Sequence, residues 1–173
     1  SLMKQVKTFM RWFTCAPMLA AVALLAPKAA YAEDVTLKLD YNEGDKNNVE
    51  ITETAENEYV VKCVGGDPFC ATFPLETALT EDYKYIIFEY TADQEIGNEL
   101  EFFFSPWRGG YSINFGGTPA VSEWKEKVVE VSKAFAADWG FGQVGSKIRF
   151  DFGNNSSATL QIRNLRVTNV NPI

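Results

Sequence analysis

From residue 35 onward the chain is written in short alternating runs. Val-Thr-Leu-Lys-Leu (35–39) puts apolar side chains at every second position, and Val-Glu-Ile-Thr-Glu-Thr (49–54) repeats the pattern after the polar stretch 42–48. A period of two gives a strand one face for a core and one for water. The runs Tyr83–Thr91 and Glu99–Ser105 are the most apolar. Tyr111–Phe115, Lys127–Val131, Lys147–Phe152 and Ala158–Thr168 complete the set. Gly109-Gly110, Gly116-Gly117 and Gly153-Asn154-Asn155 punctuate them as turns. Many short strands with regular turns predict an all-β fold, an antiparallel two-sheet β-sandwich. One helix of about two turns is expected over Ser132–Trp139, too short for a βαβ unit.

The first 32 residues break this pattern. Ser1-Leu2 precede Met3 and read as an appended scar. Lys4, Lys7 and Arg11 open a basic segment, Ala16–Ala26 is apolar, and Ala30-Tyr31-Ala32 has the small-x-small form of a cleavage site. Residues 1–32 are therefore expected to be the scar plus a secretory signal peptide, and 33–173 the β-sandwich domain. The expected location is secreted, periplasmic or cell surface, with no membrane insertion once the signal is removed. The signal segment holds Lys4, Lys7, Arg11 and Lys28 of the 16 basic residues and none of the 23 acidic ones. The remaining 141 residues thus carry 12 against 23, a net charge of −11. That balance, with no basic run, argues against nucleic acid and against anionic membranes.

An oxidising destination changes how "KCVGGDPFC" (62–70) reads. Its flanks look like strands, and an even turn would pair Val64 with Phe69 and set Cys63 opposite Cys70. Opposed residues lie within disulfide range, so a Cys63–Cys70 cross-strand disulfide and two buried free thiols are the readings open here. Zinc is disfavoured, because there is no histidine and no second cysteine pair in this segment.

The absence of histidine also removes Ser-His-Asp, Cys-His and histidine acid–base chemistry. No phosphate-cradling loop or nucleophile elbow occurs. Paired carboxylates such as Glu99 and Glu101 are the one conceivable catalytic arrangement, and in so acidic a chain they are expected on a solvated face. The domain is read as not an enzyme. No cofactor is expected; a structural calcium ion is compatible with the composition, without assignable ligands.

Aromatic residues make up 14% of the chain, and several sit in loops. A sugar ring stacks its C–H face on an indole or phenol while amide and charged groups bond its hydroxyls. The segment 105–114 brings those parts together: Trp107 and Tyr111 as platforms, Arg108 and Asn114 as polar partners. Trp139, in the 138–145 loop, is a further candidate. Trp124 is read as an edge plug. Arg149, Asp151 and Arg163 alternate with apolar residues and are expected on outer faces, as ion pairs.

The segment "KIRFDFGNNSSATLQIRNLRVT" (147–168) resembles the closing strands of galactose-binding-like carbohydrate-binding modules of secreted glycan-processing proteins of Bacteroides-type bacteria. The "GGDPF" turn, "SEWKEKVVEVS" and "DWGFGQVG" follow the same order as in that group, so the likeness spans about 49–168. It implies a jelly roll, a noncatalytic role, a polysaccharide or glycan as partner and attachment to a larger glycan-active or surface protein. The assignment of Trp107, Arg108 and Tyr111 rests on their chemistry. The alternative is a structural or protein-docking domain of a larger exported protein, suggested by the end at Ile173 directly after a strand.

Overall fold

A computed structural model describes residues 33–42, 45–96, 101–104, 112–114, 118–136 and 138–172. Contacts divide the chain into Ser1–Ala30 and Tyr31–Ile173, and the fold is that of the second unit.

Ten strands follow in chain order: β1 Asp34–Thr36, β2 Val49–Ala55, β3 Glu58–Cys63, β4 Phe69–Ala71, β5 Tyr85–Ala92, β6 Glu101–Phe104, β7 Ser112–Asn114, β8 Val121–Glu130, β9 Ile148–Asp151 and β10 Thr159–Thr168. They form two antiparallel sheets. The larger runs β2-β3-β10-β5-β8, with β1 also paired to β10; the smaller runs β4-β9-β6-β7. The expected two-sheet sandwich is what the chain forms.

The alternation explains which faces meet. On β5, Ile86, Phe88, Tyr90 and Ala92 are buried; on β10, Leu160, Ile162, Leu165 and Val167; on β9, Ile148 and Phe150. Phe88 meets Phe150 edge-on across the two sheets, ring centroids 5.7 Å apart. Strand β10 keeps its apolar residues inward along its whole length by means of a bulge. Its register to β5 shifts between Arg163 and Arg166, and Asn164 adopts φ 53° there. The bulge inserts a residue and restores the inward phase at Leu165.

Three expectations are corrected. Strands β3 and β4 do not form a hairpin, because they belong to different sheets. Cys63 lies opposite Val49 and Cys70 opposite Phe150. The cross-strand geometry that suggested a Cys63–Cys70 disulfide is therefore absent, and both are buried free thiols. The turn between them carries the chain from one sheet to the other. It is held by Asn47, whose side-chain amide donates to the Asp67 carbonyl at 2.8 Å. The helix over 132–139 shrinks to a single 3-10 turn, Ser132–Phe135. No side chain caps its start, its first turn has no acidic residue, and Ala136 is already extended with ψ 145°. Finally, Trp124 lies within β8, which is longer than the run 127–131 foretold.

Candidate functional site

The smaller sheet presents an organised polar and aromatic cluster. On β9 the sequence Ile-Arg-Phe-Asp sends Ile148 and Phe150 into the core and leaves Arg149 and Asp151 on the opposite face. The guanidinium of Arg149 donates twice to Asp151, Nε to Oδ2 at 2.8 Å and Nη2 to Oδ1 at 3.1 Å. The pair is largely withdrawn from water, with side chains 18% and 12% exposed. Arg149 also lies over the ring of Phe69, 4.5 Å from its centroid. Phe69 is half-buried and begins β4, directly opposite Asp151.

Backbone register places two further residues in the same row. Asp151 stands opposite Glu101 of β6, and Glu101 opposite Asn114 of β7. Asn114, Glu101, Asp151 and Phe69 thus form one row over four strands, three interstrand spacings or about 14 Å long. A guanidinium locked to a carboxylate has fixed donors and acceptors, and a neighbouring ring offers an apolar surface. Such a surface can hold a polyhydroxylated ring without activating a nucleophile.

The larger sheet carries a similar constellation on its outer face. Arg163 donates to Glu89 at 3.0 and 3.3 Å and stacks over Trp124, 4.0 Å from the ring centroid. Hydrogen bonds from Arg163 and then from Asn164 hold the Glu89 carboxyl below its ordinary pKa, against a smaller opposing effect of burial. A shallow depression of about 440 Å³ lies beside it, lined by Asp34, Asn57, Glu89, Glu126, Asn164 and Arg166 among others. Arg166 pairs with Asp34 at 3.4 Å. Trp124, read from the sequence as an edge plug, is instead a partner of this ion pair.

Of the residues singled out in the sequence, Trp107, Arg108 and Tyr111 lie outside the described residues, as does Glu99. Asn114 falls on β7, in register with the row just described. Trp139 is half-buried and packs against the core in the turn after the 3-10 helix. Arg149 and Asp151, expected as a surface ion pair, do pair; Phe69 was not foreseen beside them. Among the described residues no three His, Cys, Asp or Glu side chains gather as a metal site would need.

No known protein family matches the chain, and no curated protein matches it. Solved structures do. A glutamate-to-arginine variant of a family 29 carbohydrate-binding module is similar over 83% of this chain and 100% of its own, with 9% identity and a TM-score of 0.53. A family 29 module from Piromyces equi is similar over 80% and 91%, with 12% identity and a TM-score of 0.51. An aspartate-to-alanine variant complexed with mannohexaose covers 82% and 99%, with 9% identity and a TM-score of 0.55. The variants of that module made to probe ligand recognition include an arginine and an aspartate two positions apart, each changed to alanine. At these identities the likeness is one of fold.

Proposed function

We propose that this chain is a noncatalytic carbohydrate-binding domain of an exported protein. It holds a polysaccharide on the outer face of its smaller sheet and serves as accessory to a glycan-degrading system, beside a catalytic domain. The observation that carries this reading is the bidentate Arg149–Asp151 pair packed on Phe69, in line with Glu101 and Asn114. The similarity to modules solved with cellulohexaose and mannohexaose supports the same ligand class. So does the matching two-residue spacing of an arginine and an aspartate in their recognition variants.

The test is calorimetric titration of the purified chain with cellohexaose and with mannohexaose, beside Phe69→Ala and Asp151→Ala. Weak binding to one of them, reduced about tenfold or more in each variant, is expected; a tenfold loss corresponds to about 1.4 kcal/mol. Binding unchanged in both affinity and stoichiometry in the two variants would remove the sheet face as the site.

A second reading, a structural or protein-docking sandwich with no sugar ligand, draws on the low exposure of Arg149 and Asp151. It predicts that the wild type binds no glycan on a broad panel.

A further inference from the structure

A concavity larger than the depression beside Glu89 lies elsewhere. A groove of about 900 Å³ is lined by the 33–38 segment, the 73–80 loop, Tyr83 and Asn169. Its size is within the roughly 300–1,000 Å³ usual for small-molecule sites. The loop has no regular secondary structure but is pinned along its length. Phe73 N–H donates to the Lys38 carbonyl at 2.9 Å, Leu75 N–H to Ser146 at 2.9 Å and Leu79 N–H to Gly142 at 2.8 Å. A wall held this way costs little to order when a ligand arrives.

This pinned loop displays Phe73, a large aromatic left 44% exposed. Tyr83 adds a second ring, half-buried against the core, with its hydroxyl donating to the Glu33 carboxylate at 3.4 Å. The Glu33 backbone N–H in turn donates to Asn169 Oδ1 at 3.0 Å. Two aromatic residues thus line one groove with Glu33, Glu76, Lys38, Asn169 and the Tyr83 phenol. Two carboxylates against one lysine weigh against an anionic ligand. Apolar ring faces bordered by hydrogen-bonding groups suit a ligand with alternating C–H faces and hydroxyls.

We propose that this groove is a second carbohydrate-binding site, for a neutral oligosaccharide stacked on Phe73 and Tyr83 and hydrogen-bonded by Glu33, Lys38 and Asn169. It takes its ligand class from the reading of the chain as a sugar-binding domain but is separate from the sheet face. The two sites share no lining residue.

The test is an amide-resolved NMR titration of the full chain with cellohexaose and mannohexaose, run on the wild type, Asp151→Ala, Phe73→Ala and Tyr83→Phe. Amides of 36–38, 77–80 and 169 are expected to shift and to saturate independently of those in β4 and β9. The groove shifts should survive Asp151→Ala. They should weaken about tenfold in Phe73→Ala, whose exposed ring can be removed without opening the core, and severalfold in Tyr83→Phe, which keeps the ring. Groove amides that stay still while β9 amides move would overturn this inference and leave the sheet-face reading intact. Groove shifts unchanged by both groove variants would also overturn it. Stillness at both places would overturn both readings.

Discussion

The claim that Arg149 and Asp151 form a preorganised unit can be tested by a double-mutant cycle. Arg149→Met keeps an unbranched stem over Phe69 and deletes the guanidinium; Asp151→Ala deletes the carboxylate; the double variant removes both. Two charge-assisted hydrogen bonds join the pair, at 2.8 and 3.1 Å. Exposed ion pairs contribute about 0–1 kcal/mol, and breaking a fully buried one costs about 3–5 kcal/mol. With side chains 18% and 12% exposed, this pair belongs between those limits but toward the buried one. Each single variant should therefore lose about 2 kcal/mol, and the coupling should be about 1–2 kcal/mol. With a urea slope of about 2 kcal/mol/M, each single variant should unfold about 1 M earlier. The tryptophans of the 33–173 domain, Trp107, Trp124 and Trp139, supply the fluorescence signal. Coupling below about 0.5 kcal/mol, the usual error of additivity, would show that the two side chains are not held together in solution. The preorganised sugar surface would go with it.

Three further expectations follow from the packing. The folded pKa of Glu89 is depressed, so its contribution to stability is present above its ordinary value of 4.5 and is lost as pH falls through the lower folded value. Its partner is partly solvated, so Glu89→Gln should cost no more than about 1 kcal/mol at neutral pH and progressively less as pH falls below 4.5, read from urea midpoints across pH; a cost that does not change with pH would refute the linkage. Gly142 has φ +92° and a Cβ there would stand 2.5 Å from Phe135 Cε1, whereas Gly145 has φ +89° and open space. Gly142→Ala should cost about 3 kcal/mol and Gly145→Ala about 1 kcal/mol in chemical denaturation, and equal losses would mean that the Phe135 ring yields. Burial, then the charge of Asp93, pushes the Cys63 thiol up to about 11; burial, then Cys63 and Asp151, pushes Cys70 up as well. Both should react slowly with a disulfide reagent at pH 8 and at ordinary rates in urea, while absence of reaction in urea would reveal a bond between them.

The sandwich was legible because alternation is a local property. Ile86, Phe88, Tyr90 and Ala92 announce an inward face whatever their partners. Partner choice is not local. The short Gly65–Asp67 turn looks like a hairpin, yet its Asp67 carbonyl is taken by Asn47, twenty residues earlier, and Asp67 itself has φ 54°. Nothing in the turn announces that its two strands enter different sheets. The site was legible to the same degree. The outward position of Arg149 and Asp151 follows from their alternation with Ile148 and Phe150. The arrival of Phe69 depends on the register of β4 against β9, which only the folded sheet defines. Trp139 shows the converse: loop position and residue type look the same for a ligand platform and for a side chain packed on the core.

The pairing of charges also constrains what the sheet faces can bind. Arg149, Arg163 and Arg166 are each within ion-pair distance of a carboxylate, Asp151, Glu89 and Asp34, and Lys147 reaches Asp45 at 3.4 Å. An anionic polysaccharide would have to displace one of these carboxylates and approach a chain with 23 acidic residues against 16 basic ones. A neutral glycan needs neither. It can use the donors and acceptors that remain on groups already held in place, so its affinity should not depend on screening. Between about 0.01 M and about 1 M salt the screening length falls from about 30 Å to about 3 Å. Calorimetric titration of a neutral hexasaccharide over that range should give dissociation constants within about twofold of one another. A steep loss of affinity with salt would mean that screening loosens the Arg149–Asp151 or Arg163–Glu89 pair, and that the paired arrangement is not a fixed binding surface.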